Sequence, residues 1–175
     1  KFGVIAASDN HDSHPGRSGW GPYPNGLAAF WASELTREAI WNSLWDYRVY
    51  GTSFDRIYME FRINASTMGS QLVGDAAEID GYIIGKTDSL EVALIKDNKE
   101  IRSWITDTGV VEFSHLDDYI YGDHFYYLRV TQSNGEQAWS TPIWIDSSDT
   151  ATAVDAINNK NDDTRLEKDP HEIGC

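Results

Sequence analysis

The chain has 175 residues, 41% of them hydrophobic and 13% aromatic, enough for a sizeable core in one domain or two small ones. Its 28 acids against 14 bases give a formal net charge of −14, which argues against a nucleic-acid surface, because neutralising phosphates takes clustered Lys and Arg. The single cysteine, Cys175, excludes an internal disulfide, and no apolar run approaches the ~18 residues of a membrane span.

The first element is the run from Phe2 to Ala7, small and apolar, ending in Ser8-Asp9-Asn10-His11. A buried strand that delivers polar side chains at its end has this form. Asp9 and His11 are two apart, so on extended backbone they point to one side, and a carboxylate with an imidazole makes half of a divalent metal site. The plain alternative is a turn-capping Asp beside a solvent-facing His.

A loop rich in Gly and Pro follows from His14 to Gly26 and carries Trp20, Tyr23 and Arg17, residues a mere spacer does not need. It reads as a site-lining loop. Arg17 is the candidate substrate-binding residue: its guanidinium can meet a phosphate bidentately, and equally a surface carboxylate. His14 fits a supporting role better than direct ligation.

Leu27 to Ala32 reads as a strand. Thr36 then caps a helix, with Glu38 in its first turn and Ala39, Ile40, Leu44 and Tyr47 along one stripe. Trp41 and Trp45, four apart, are expected to pack between that helix and its neighbours. Arg48 to Thr52 returns to a strand pattern.

From residue 57 the texture changes. Ile57, Met59, Phe61 and Ile63 alternate with Tyr58, Glu60, Arg62 and Asn64, the period of a half-buried antiparallel strand. Further strands are expected at Ala77–Lys86, Ser89–Lys96, Lys99–Thr106, Val110–His115, Phe125–Gln132 and Gln137–Ile145, with hairpin turns at Asp97-Asn98 and Ser133-Asn134-Gly135-Glu136. Seven strands without an intervening helix predict a β-sandwich of immunoglobulin-like size. Trp139 and Trp144, an odd number apart on the last strand, should face opposite ways. His115 and His124 lie near Asp117, Asp118 and Asp123, a set that reads as an ordinary acidic loop ahead of a calcium site. Asn64-Ala65-Ser66 matches a glycosylation sequon, a pattern that often arises by chance. Residues 146–175, with eight acids and three bases and almost no aromatics, predict a disordered tail, with weak helical potential over Ala151–Ile157.

Several stretches in order carry a resemblance: Ser8-Asp9-Asn10-His11 with Pro15-Gly16-Arg17, Gly26-Leu27 through Trp31-Ala32, Glu34 through Ile40, Arg48-Val49-Tyr50-Gly51-Thr52, and Phe125–Gln132 with Ala138–Trp144. Together they resemble the C-terminal part of a PHP (polymerase and histidinol phosphatase) superfamily protein, in a bacterial domain-of-unknown-function branch. The resemblance implies a metal-binding barrel holding Zn, Mn or Fe, with Asp9 and His11 matching the Asp-x-His ligands of its last strand. The other ligands of that family have no counterpart here, so the resemblance implies that they belong to the upstream part of the barrel, a partner of this chain.

The expected fold class is therefore α+β: residues 1–56 as the α/β end of a PHP-type barrel, residues 57–146 as an antiparallel β-sandwich accessory domain, and residues 147–175 as an acidic tail. The expected function is that of a C-terminal fragment of a metal-dependent hydrolase, a phosphoesterase acting on a small phosphoester, with the chain alone inactive because two ligands cannot fix a catalytic metal. The alternative is a non-catalytic β-sandwich interaction module.

Overall fold

Period-two alternation organises most of the molecule. In the computed structural model, which describes residues 1–9, 11 and 25–147, the elements run β1 (Leu27–Phe30), α1 (Arg37–Trp45), β2 (Val49–Thr52), β3 (Tyr58–Ile63), β4 (Ser66–Thr67), β5 (Gln71–Val73), β6 (Ala77–Ile84), β7 (Leu90–Lys96), β8 (Lys99–Thr106), β9 (Val110–Asp117), β10 (Asp123–Gln132), β11 (Gln137–Ser140) and β12 (Ile143–Asp146). Most of the expected loop, from His14 to Pro24, and the tail beyond Ser147 lie outside the described residues.

Two sheets form the sandwich. The smaller has the order β4-β3-β6-β9. In the larger, β10 is the central strand: β7 and then β8 lie on one side, while the other is shared by β11, which leads to β2 and β1, and by β12, which pairs in parallel with β5. Alternate residues from both sheets meet between them. Met59, Phe61 and Ile63 of β3 and Ile79 and Ile83 of β6 face Val92 and Leu94 of β7 and Tyr126, Leu128 and Val130 of β10, all buried in one cluster. At Gly81 a Cβ would stand 2.2 Å from the Phe113 ring, so the glycine makes room for that aromatic in the core.

Turn chemistry sets the register. Asp97 and Asn98 both take positive φ, 49° and 64°, the two-residue turn whose twist matches antiparallel strands, and join β7 to β8 as expected. The same geometry at Asn64-Ala65, unexpected from sequence, joins β3 to β4. There the Asn64 amide donates to Ala76 O at 3.1 Å and accepts from Glu78 N at 2.8 Å, so the sequon asparagine is a brace to β6.

The fold class differs from expectation. The chain is all-β, with one nine-residue helix among the described residues, and not an α/β barrel end joined to a sandwich. The reason is pairing. β1 and β2 are antiparallel, whereas a barrel layer takes parallel strands, and β2 hydrogen-bonds to β11, so residues 27–52 extend the sandwich's own sheet. Val49, Tyr50, Gly51 and Thr52 are all buried, which favours this internal position. The helix begins where Thr36 predicts: its Oγ1 accepts from Ala39 N at 3.2 Å.

Candidate functional site

The N-terminal run, expected to be a buried strand, forms neither strand nor helix. It crosses the outer face of the larger sheet over β2. A Cβ at Gly51 would lie 2.9 Å from Ala6 N, and one at Gly26 only 2.8 Å from the Ala6 Cβ, so two glycines form the seat of Ala6. A relay fixes the segment further back. Val4 N donates to Thr141 Oγ1 at 2.8 Å, and this fully buried hydroxyl donates in turn to Val49 O at 2.6 Å.

Burial alternates along the segment: Val4, Ala6 and Ser8 are half-buried against the sandwich, while Ile5, Ala7, Asp9 and His11 are exposed. The seat therefore presents Asp9 and His11 outward. Asp9 Oδ1 and His11 Nε2 stand 3.4 Å apart, with side chains 96% and 89% exposed. Asp9 has φ 48°, so the backbone is not extended at that residue. Two ligand atoms about 2.0–2.1 Å from a tetrahedral ion are themselves about 3.4 Å apart, so the pair fits one edge of such a site. No group of three or more His, Cys, Asp or Glu side chains converges among the described residues, so this chain's described part offers two ligands. Arg17 and His14 lie outside the described residues.

The histidines of the acidic loop have separate tasks. His124 Nδ1 lies 2.5 Å from Asp97 Oδ2 and its Nε2 lies 2.9 Å from Tyr121 O, while Asp97 Oδ1 accepts from Phe125 N, so this cluster pins the β7–β8 turn to β10. His115 packs edge-on against Trp104. Asp117 turns toward Lys96 and Tyr126.

Trp139 and Trp144 do not face opposite ways, contrary to expectation. Trp139 pairs with Arg129 and Trp144 with Phe125, residues on the same face of β10. Thr141-Pro142 interrupts the strand and resets its parity, because proline cannot donate to the ladder. Both indoles, with Phe125, Tyr127, Phe2 and Lys1, line an outer groove of about 410 Å³ beside the N-terminal segment. Sequence reasoning missed this groove; the clustered aromatics at 125–127 and 139–144 were its signal, once the strand break is placed. Trp41 and Trp45, expected to be packed, instead stand 57% and 67% exposed, their rings edge-to-face at 5.8 Å.

Comparison with known proteins adds three findings. The family model described as "Protein of unknown function (DUF3604)" matches residues 13–85. An uncharacterized protein of Chlamydia trachomatis serovar D is 29% identical over 168 residues, covering 83% of this chain and 27% of that protein. Uncharacterized proteins of Chlamydia muridarum and Chlamydia pneumoniae are each 29% identical over 143 residues, covering 71% of this chain and 23% of theirs. No solved structure matches. The expected PHP resemblance is overturned, since the matching model is DUF3604 and no relative carries a PHP name. The chain spans about a quarter of the length of the curated relatives it matches, and its likeness is to proteins whose activity is not described.

Proposed function

We propose that these residues are the β-sandwich part of a longer metal-dependent hydrolase and that Asp9 and His11 are two ligands of a divalent ion whose other ligands lie outside the described residues. The observation that carries the reading is the 3.4 Å approach of Asp9 Oδ1 to His11 Nε2, on a segment whose Val4 N–H is bonded to Thr141. An ion pair this exposed adds almost nothing to stability, so folding alone gives little reason for the geometry. A carboxylate and an imidazole suit Zn, Mn or Fe; Asp9 and His11 would hold such an ion, and it would supply activation of water near neutral pH. This chain's own part is positional: the Gly26–Gly51 seat and the Thr141 relay hold Ala6 and Val4, which lead into Asp9.

The test is metal content and hydrolysis of a generic phosphoester, para-nitrophenyl phosphate, by the gene product that contains this chain. Asp9→Ala and His11→Ala should each lower bound metal and rate at least tenfold. Unchanged metal in both variants would sink the reading, and metal loss without any hydrolysis in the unaltered protein would leave a structural ion in place of a catalytic one. The second reading, a non-catalytic interaction module, is favoured by the aromatic groove beside the same segment.

A further inference from the structure

His124 on β10 meets an oxygen acceptor at each of its ring nitrogens. Its Nε2 lies 2.9 Å from the Tyr121 backbone carbonyl oxygen, and its Nδ1 lies 2.5 Å from Asp97 Oδ2. A carbonyl oxygen has no hydrogen to give, so Nε2 has to carry one for that bond to exist. A neutral imidazole is then left with a lone pair at Nδ1, directed at a carboxylate oxygen. Both contacts hold together only with one further proton between His124 and Asp97. Phe125 N donates to Asp97 Oδ1 at 3.1 Å, so the carboxylate already acts as an acceptor at its other oxygen. An imidazolium with a hydrogen on each nitrogen satisfies every contact at once.

We infer that His124 is a protonation latch: as an imidazolium it ties the Asp97-Asn98 turn between β7 and β8 to the backbone at Tyr121, and loss of one proton releases the turn. A neutral ring keeps a hydrogen for Asp97 or for Tyr121, not for both. The same turn is held to β10 by Asp97 N donating to Phe125 O and Phe125 N donating to Asp97 Oδ1, so these two amides report whether it is seated. The ring is 22% exposed, open enough to exchange its proton with water. Charged groups on the elements around it are Asp97 and Lys99 at the turn, Asp118 before Tyr121, Asp123 on β10, Asp146 opposite Asp123 on β12, and the Lys96–Asp117 pair of β7 and β9. Lys96 is engaged with Asp117, so the charge bonded to the imidazole is that of Asp97. An ordinary imidazole loses its second proton near pH ~6.5, so the latch is closed on the acidic side and open on the alkaline side. The place gives the latch a consequence: Asn98 lines the outer groove with Phe125 and Trp144, and a released turn loosens the rim of that groove. Neither Asp9 nor His11 takes part.

Hydrogen exchange of the gene product that contains this chain, read by mass spectrometry between about pH 5 and about pH 8.5, tests the latch. After correction for the intrinsic pH dependence of exchange, protection of the Asp97 and Phe125 amides should fall about fivefold or more toward the alkaline end, while the buried strand β6 stays unchanged. Exchange at the C2 hydrogen of His124, which reports the charge of the ring directly, should follow the same midpoint in the unaltered protein. In His124→Gln the two amides should exchange at the alkaline rate at every pH. Protection that does not vary with pH, a midpoint that differs from that of the His124 ring, or a pH dependence that survives in His124→Gln would each overturn the latch. The comparison of midpoints needs no substitution, so it decides the matter even where His124→Gln fails to fold.

Discussion

Tyr126, fully buried on β10, donates its Oη proton to Asp117 Oδ2 at 2.8 Å, so a side chain of the larger sheet is tied to the last residue of β9 in the smaller. Lys96 Nζ meets the same oxygen at 2.7 Å and stands 5.3 Å from the Tyr126 ring centroid, closing a three-residue clamp at one end of the sandwich. Burial pushes the phenol far above its ordinary range, and the adjacent carboxylate raises it further. For Asp117 burial acts upward as well, but the hydrogen bonds from Lys96 and Tyr126 outweigh it and hold the carboxyl below the usual value.

This gives a pH prediction with a definite sign. A carboxyl depressed in the native state contributes stability that is fully present above its unfolded pKa of about 3.9 and is lost as pH falls through the lower native value. The Tm of the unaltered protein should therefore fall more steeply below about pH 4 than that of Asp117→Asn, which has no carboxyl to titrate. Thermal melts between pH 2 and 6 decide it, and parallel curves would remove Asp117 from the clamp. At pH 7, Tyr126→Phe should cost about 1–2 kcal/mol, since it deletes one hydrogen bond to a charged acceptor and leaves the Lys96 contact in place.

The core predicts a sharp contrast within the sandwich. Phe61→Ala empties a fully buried site between two sheets and should cost about 3–5 kcal/mol, read from urea unfolding. Ile105→Ser, on a side chain 77% exposed on β8, should stay within about 0.5 kcal/mol of the unaltered protein. Similar losses at both positions would contradict the assignment of inner and outer faces.

Much of this was legible in the sequence because one face of most strands is buried, which forces alternation. Met59, Phe61 and Ile63, or Tyr126, Leu128 and Val130, can be read off the period alone. Two failures have physical causes. Trp139 and Trp144 lie on two strands, and the Thr141-Pro142 break between them resets the alternation. The strands of residues 27–52 were detected, but local sequence does not say which sheet a short strand joins; β2 joins β11 across more than 80 residues. The spacing of Asp9 and His11 was read on extended backbone, whereas Asp9 takes φ 48°, with the two side chains 3.4 Å apart.

Asn64 tests the unexpected turn. It is bonded at both ends of its amide, to Ala76 O and Glu78 N, and sits at φ 49°, where alanine is strained. Asn64→Ala removes both bonds and adds that strain, so a loss of about 2–3 kcal/mol is expected in equilibrium unfolding. An effect below about 0.5 kcal/mol would mean that the amide brace is not formed in solution.

Gly51 connects the fold to the site most directly. It lies within β2, opposite Trp139, and its backbone needs no left-handed φ, so the nearest atoms an added side chain meets are those of the N-terminal segment. A Cβ there would stand 2.9 Å from Ala6 N and 3.1 Å from Ile5 C, and backbone atoms so close cannot yield without moving the segment. Valine adds two further methyl groups in the same direction and suits a strand, so Gly51→Val should keep the sheet while lifting residues 5–6 off it. Three measurements on the gene product then move in a fixed pattern. The Tm falls by a few degrees only, limited proteolysis within the first eleven residues accelerates several-fold, and bound metal drops toward the level of Asp9→Ala although neither ligand has been changed. If proteolysis accelerates but metal content holds, the seat positions the segment and Asp9 and His11 are not ligands. If neither changes, Ala6 does not rest in the Gly26–Gly51 seat, and the structural basis for holding the pair outward is lost.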